Sequence, residues 1–531
     1  MAGTRSITKL QARQRPLTIA CTGSKEIDIQ TSSLTLSNDI MIMDGAEGKA
    51  FKSLSLELHQ LIMEFLPNDS DVAKYARICH AASAAVTTSV WRKRFLRKYD
   101  YSDGETNQSL FKKYKYRHIV SNEVTIFNLK QYAGRISNEA RETQLFNQKN
   151  WLDLLRTLII ESDAKRVVHE GGRETIEGRN IKFIRDMTSD TGNGTYIDII
   201  DAVLNTESHF DVKDIVSAKE DGTLAFVVQL ILTPISLHPD FCNAKVSHFD
   251  LSQAQTYATS EAQPIFTGKF MQNVNVLWLL NVVNFFKFHL KTVGEGLLSH
   301  AYNFLPSDQY PQTWIGRIKA GTQPLGSFWK GCHMYMDESE LFKLRNHRGQ
   351  DSGIYSDSLD LGETFQDIEI SFDEKQFSSK VWPPAFEGSI PSDPFRSTTS
   401  PPACRRSRRN MPTAPEILNF YGISDGDKTG YFYGRIHGIP HQQGFHGFQR
   451  ITFVMFYYPK PGAVDSQIAY SYEGCVLPGG RCIVGRWWGF YDDPKDVATM
   501  SGPFIWWNVD RGAIDGCYDR TDPIKFLQNY L

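Results

Sequence analysis

The sequence has eight cysteines and no CxxC pair among them. At a length of 531 residues that density excludes a disulfide-stapled scaffold and leads to the expectation of a reduced, intracellular protein. A dominant charge is missing too. The 58 Lys and Arg stand against 60 Asp and Glu for a formal net charge of −2, so the balance asks for neither a nucleic-acid nor a membrane partner. No apolar run reaches the roughly 18 residues of a membrane span. The most apolar stretch, Val276 to Phe288, contains Asn281, Asn284 and Lys287 and predicts a buried helix. Arg13, Arg15 and Lys25 interrupt the first apolar region, so no secretory signal is expected. Walker, GxSxG, HExxH and EF-hand patterns are absent, and Gly192-Asn193-Gly194 is a turn signal, too short for a phosphate loop. His437, His441 and His446 cluster, but their spacing is irregular and Pro440 breaks any helix between them, so neither a metal nor another cofactor is expected. No nucleophile–base pair can be assembled from spacing, and the reading is of a protein that is not an enzyme.

What is present is a mixed globular composition, 41% hydrophobic and 22% charged, in a chain long enough for two or three domains. The expected fold class is α+β and multidomain. Residues 1–50, rich in Ser, Thr, Gly and Asp, predict a disordered leader. Residues 51–101 predict a compact three-helix unit. Residues 102–300 predict a mainly helical scaffold; Trp151, Leu154, Leu155 and Leu158 recur there at helical spacing. Residues 301–531 turn to short β-prone runs: Phe328 to Tyr335, Ile368 to Phe372, Ile451 to Tyr458, Ile468 to Val476, Arg481 to Tyr491 and Phe504 to Trp507. Such runs, separated by turn signals, predict a sandwich or an antiparallel barrel. Residues 382–415 carry eight prolines and predict a surface or disordered insertion within it.

The most informative segment runs from Leu54 to Pro67. Leu54, Leu58, Ile62 and Phe65/Leu66 lie at helical spacing and give one helix a continuous apolar face. Pro67 stops that helix, and Asp69, Ser70 and Asp71 offer capping side chains for a second through Val72, Tyr75, Ala76 and Cys79. A third helix is expected from about Ala81 to Trp91-Arg92 and Phe95. So small a unit completes its core against a partner.

With Leu54, Glu57, Leu58, Ile62, Leu66, Pro67, Val72, Cys79, Trp91 and Arg92 in matching order, this segment resembles the F-box family. Ser55 stands where the family commonly has proline, and Ile78 where valine is frequent. The resemblance implies the substrate receptor of an SCF-type ubiquitin ligase. Leu54, Leu58, Ile62, Phe65, Leu66, Pro67, Val72 and Trp91 would then bind a Skp-type adaptor and, through it, a cullin. A cytoplasmic or nuclear location follows, and Arg405-Arg406-Ser407-Arg408-Arg409 reads either as a nuclear signal or as a solvated basic run.

The C-terminal half is expected to recognise protein substrates. Gly326 to Gly331 reads as an opening strand with a Gly-x-x-Trp step. Tyr433 to Gly438, followed by Gly444 to Phe448, reads as a Gly-rich turn. Tyr472-Glu473-Gly474 and Gly485-Arg486-Trp487-Trp488 flank a tight hairpin. The arrangement is similar to the lipocalin-like C-terminal barrel of a fungal group of F-box proteins, and more distantly to the receptor half of F-box-only protein thirty-one. Aromatics and arginines dominate binding energy at protein interfaces, so Trp329, Tyr335, Tyr433, Arg435, Tyr472, Arg486, Trp487 and Trp506 are the candidate client-binding group, with a barrel core as the other role open to the tryptophans. Cys475 and Cys482 would face each other across a Pro478-Gly479 turn but not across Gly479-Gly480. The alternative function class is a small-molecule or lipid-binding barrel on a helical scaffold.

Overall fold

The computed structural model describes residues 53–101, 104–123, 138–163, 167–170, 173–176, 178–188, 203–205, 219–242, 244–268, 271–346, 355–359, 365–372, 416–425, 429–457 and 468–509. The expected leader 1–50, the insertion 382–415, the basic run 405–409 and Gly192-Asn193-Gly194 lie outside them. The chain divides into two compact units, residues up to Val90 and residues from Trp91 onward.

The first unit begins with α1 (Leu56–Phe65), α2 (Asp69–Ala76) and α3 (His80–Ala84), and α4 (Thr88–Lys98) crosses the division. Ser55 caps α1, its hydroxyl accepting the Leu58 N–H at 3.5 Å. Leu66 is extended, at ψ 130°, because the residue before a proline is driven out of the helical region. The expected three helices are four. Cys79, expected inside the second helix, instead caps α3 through its sulfur, and the helix expected from Ala81 is interrupted at Val86-Thr87, a β-branched pair of low helix propensity.

The second unit continues with α5 (Asn107–Glu123), α6 (Asn138–Ile160), a hairpin of β1 (Val167–Glu170) and β2 (Arg173–Ile176), α7 (Arg179–Thr188), α8 (Lys219–Ile231), α9 (Thr233–Leu237), α10 (Phe249–Thr256), the short pair β3 (Phe266–Thr267) and β4 (Asn273–Val274), α11 (Val276–Lys291) and α12 (Ser299–Asn303). The described residues of the middle of the chain are thus mainly helical. α11 is the predicted buried helix. Asn275 caps it by accepting the Trp278 N–H at 3.1 Å, and Leu279, Val282, Val283, Phe285 and Phe286 are fully buried. Lys287 lies inside as well, and its ammonium donates to the Leu204 carbonyl at 2.7 Å, the partner a buried cation requires.

The remaining elements are β5 (Phe328–Met336), α13 (Glu338–Asn346), β6 (Asp357–Leu359), β7 (Gln366–Ser371), β8 (Ile417–Asp425), β9 (Gly430–Gly438), β10 (Gln449–Tyr457), β11 (Ile468–Val476), β12 (Cys482–Gly489) and β13 (Ser501–Asn508). Strands β7 to β13 pair consecutively, all antiparallel, and β5 closes the ring by pairing with both β7 and β13, so eight strands form a closed barrel. Closure leaves the ring without an open edge; β6 adds to the far end of β5.

Two cores meet at the barrel wall. Inside lie Trp329, Phe420, Phe432, Phe453, Tyr472 and Trp506 with their aliphatic neighbours. Outside, Cys332, Met334, Cys475, Val484, Ile505 and Trp507 join the core that α11 and the other helices share. β12 and β13 are consequently buried on both faces, and apart from Arg486 and the polar ends of β13 their sequences run apolar without alternation. β7 keeps the alternating pattern of a strand with one buried face.

The stretch Tyr433 to Gly438, expected as a turn, belongs to β9. Gly434 is there for space: a Cβ on it would collide with the Phe453 side chain and the Thr452 carbonyl. In the β11–β12 hairpin Val476 pairs with Ile483, and the Leu477 N–H reaches the Cys482 carbonyl at 2.9 Å. Cys475 pairs with Val484, so Cys475 and Cys482 do not face each other, although the turn itself has Pro478-Gly479 at its centre. Gly479 and Gly480 have positive φ, 94° and 68°, and Gly480 N–H closes the turn on the Leu477 carbonyl at 3.0 Å.

Candidate functional site

In the first unit α1 is turned so that His59, Met63 and Glu64 are buried. A 2.9 Å hydrogen bond between His59 Nδ1 and the Tyr75 hydroxyl joins α1 to α2. The same rotation leaves Leu58 46%, Leu61 45% and Phe65 73% exposed, with Leu56 and Ile78 also exposed. Leu58, Leu61 and Phe65 follow one another at i, i+3 and i+7 and so form one row along the helix. Hiding a histidine and a glutamate while showing a row of large apolar side chains is the reverse of what water alone selects, and such a patch marks a contact surface.

Of the residues proposed from sequence for this surface, Leu58 and Phe65 lie in the row. Pro67 is exposed beside it, and Leu54, Ile62 and Leu66 are half-buried. Val72 is buried. Trp91 belongs to the second unit, where its ring packs at 6.0 Å from Phe111 and 5.5 Å from Tyr114. Leu61 was missed. Its signal was available, since it sits three residues after Leu58 and four before Phe65.

In the barrel the eight proposed client-binding residues separate by strand parity. Trp329, Tyr335, Tyr472, Trp487 and Trp506 point inward. Tyr472 stacks on Phe453 at 4.5 Å and Trp506 lies 4.8 Å from Phe453. The indole N–H of Trp487 donates to the Met334 carbonyl at 3.1 Å, and that of Trp329 to the Gly326 carbonyl at 2.7 Å, which closes the Gly-x-x-Trp step. These side chains fill the barrel they line.

Tyr433 and Arg435 alternate with the inward Phe432, Gly434 and Ile436, so they lie on the outer face. Arg486 is also outside, next to the inward Trp487, so neither arginine of the candidate client-binding group points into the barrel. Arg486 is 2% exposed. It donates to the Ala258 and Gln263 carbonyls at 2.8 and 3.1 Å, and its guanidinium carbon lies 4.8 Å from the Trp278 ring centroid. Burial lowers its pKa to about 9, so it stays charged at neutral pH and ties β12 to the helical layer. Arg345 makes a similar tie from α13, donating to the Tyr257, Val497 and Thr499 carbonyls at 2.9, 2.9 and 2.6 Å.

A cavity of about 500 Å³ opens at one end of the barrel, where β5 and β10 begin, β11 turns into β12 and β13 ends. Trp314 forms part of its lining and packs against Gly479. Arg317, Lys319 and Arg481 bring positive charge, and no acidic side chain is among the lining residues described. Sequence reading missed this place, because its residues come from four separate segments.

His441 and His446 have ring centroids 5.6 Å apart, yet among the described residues no group of three or more His, Cys, Asp or Glu side chains could hold a metal ion. Among the same residues, no helix is long and apolar enough to cross a membrane. Comparison with protein-family models, with curated proteins and with solved structures finds no match to this chain.

Proposed function

We propose that the chain is the substrate-recognition subunit of an SCF-type ubiquitin ligase. It would bind a Skp-type adaptor through the first unit and client proteins through the C-terminal half, leaving the transfer chemistry to its partners. The observation that carries this reading is the exposed row Leu58, Leu61 and Phe65 on α1, within the segment whose residue order resembles the F-box. Completing the burial of three such side chains contributes on the order of 3–6 kcal/mol before association costs are subtracted. That suffices for docking when the rest of the interface adds to it. The alternative, a small-molecule or lipid carrier, would need volume inside the barrel, whereas the described interior is occupied by aromatic side chains.

The test is capture of purified adaptor by Leu58→Asp/Phe65→Asp. Both side chains are exposed, so the fold survives the change, and circular dichroism should be that of the wild type. Adaptor capture should be lost. Capture at wild-type strength by the double variant ends the proposal.

A further inference from the structure

We infer that His441 and His446 form an open binding site for a divalent transition ion of the zinc class, with two protein ligands and the other coordination positions left to water or to a donor group of a bound partner. The site does not depend on the receptor reading. Between the two histidines the Gln442 N–H donates to the Phe445 carbonyl and the Phe445 N–H to the Gln442 carbonyl, each at 2.9 Å. Gln443 and Gly444 make the two-residue turn, both at positive φ, 50° and 81°, as a type I′ hairpin requires. A hairpin in this register sets residues 441 and 446 opposite each other, and its side chains alternate between two faces. Phe445 is buried in the core, so the neighbouring histidines are turned to solvent. The irregular spacing of the histidines and the break at Pro440 speak only against a helical site; a hairpin needs a tight turn between its two ligands and nothing more.

The geometry of the pair fits one shared ion. The ring centroids are 5.6 Å apart and the ring planes stand at 85°. Two imidazoles on one tetrahedral ion, each nitrogen about 2.0–2.1 Å from it, place their centroids about 5–5.5 Å apart, which a small side-chain rotation reaches. Neither ring has a hydrogen-bond partner among the described residues, so the lone pair that a metal requires is not engaged by the protein. The platform beneath is fixed. The Gln442 side-chain oxygen accepts the Val274 N–H at 3.4 Å, and its NH₂ donates to the Gln272 carbonyl at 3.1 Å. The Arg156 guanidinium lies where a Cβ on Gly444 would stand. These contacts hold Gln443 in the left-handed region, which is costly for a residue with a Cβ, and they set both ligands in advance. Imidazole nitrogen suits zinc, copper and nickel and is a poor ligand for magnesium or calcium, which fixes the class of ion. Two protein ligands are fewer than a closed structural site has, so positions remain for exchange.

The experiment treats the untagged full-length protein with diethyl pyrocarbonate, which acylates accessible imidazole nitrogens, over a titration with zinc chloride, and reads each histidine by peptide mass spectrometry. Zinc should protect His441 and His446 together, at the same concentration, and a chelator should restore their modification. His80 and His300, exposed elsewhere in the chain, serve as references and should stay reactive. In the His446→Ala protein the zinc concentration that half-protects His441 should rise about tenfold or more, because changes in the outer shell alone cost about 10–100-fold in metal affinity and a ligand counts for at least as much. His446 is exposed, so the melting curve of this variant without zinc should be that of the wild type. Magnesium chloride should protect neither ring. Zinc that protects the pair no better than His300, zinc that protects one ring and not the other, equal protection of His441 in the His446→Ala protein, or equal protection by magnesium would each overturn the inference.

Discussion

Replacing Arg486 by alanine should destabilise the second unit, although the sequence places this residue among the expected client contacts. The side chain leaves β12 on the outer face of the barrel and reaches two carbonyls, Ala258 and Gln263, while its guanidinium lies over Trp278. Each charge-assisted bond is worth about 1.5–3 kcal/mol, and a desolvated cation–π contact about 2 kcal/mol. Against these stands the cost of keeping a guanidinium out of water, several kcal/mol in a site this buried. Removing the whole group relieves that cost but leaves two carbonyls without the donor and a gap beside Trp278. The net loss should be about 3–5 kcal/mol, since two buried carbonyls left without a donor cost about 1–3 kcal/mol each and the gap beside Trp278 adds to it. In a unit that runs from Trp91 to Leu531, with an unfolding entropy of about 0.9 kcal/mol/K at about 2.1 cal/mol/K per residue, that lowers the melting midpoint by about 3–5 °C. Arg486→Lys should fall between wild type and alanine, because an ammonium keeps the charge but lacks the planar fork that spans two acceptors. The assay is thermal unfolding followed by near-ultraviolet circular dichroism at pH 7, where Arg486 is charged. An Arg486→Ala protein that melts within about 1 °C of wild type, well below the shift expected from such a loss, would refute the assignment of Arg486 as a tie. Reduced client capture at full stability would return it to the binding surface.

Burial pushes Lys291 from 10.5 down to about 8. Between these values the unfolded chain holds the proton and the folded chain does not, so this lysine makes stability rise with pH from about 8 to 10.5 and contributes no slope below 8. The difference in urea midpoint between wild type and Lys291→Met should therefore change across that window, and a difference that is flat with pH would contradict the assignment. Gly434→Ala should cost about 1–3 kcal/mol, because its Cβ would meet the Phe453 side chain and the Thr452 carbonyl inside the barrel; an unchanged denaturation midpoint would show that β9 and β10 can separate there without loss.

Much of this architecture was legible in the residues. Pro67 set the end of α1, Val276 to Phe288 announced a buried helix, and six of the barrel strands could be located from β-branched and aromatic runs. These are local properties, fixed by propensity, capping and the apolar period within about ten residues. β9 was misread because Gly434 and Gly438 signal a turn when nothing shows what presses against them, and Gly434 is glycine for the sake of Phe453 on the neighbouring strand. The four helices of the first unit, in place of three, turned on weak propensities at Val86-Thr87 that single-sequence spacing does not weigh.

The tertiary structure alone decided which side of each element faces what. An arginine in a strand is inward or outward according to the parity of its neighbours, and only the register around the closed barrel put Arg435 and Arg486 outside. Packing likewise selected the exposed row of α1. Leu58, Ile62 and Phe65 share an apolar face in the sequence, but the bond from His59 to Tyr75 accompanies a rotation that leaves Leu58, Leu61 and Phe65 the more exposed. The cavity at the barrel end is the furthest from sequence. Trp314, Lys319, Gln449, Arg481 and Asn508 converge only because the barrel closes, and no local pattern records a closure made by hydrogen bonds between β5 and β13, which lie more than a hundred residues apart.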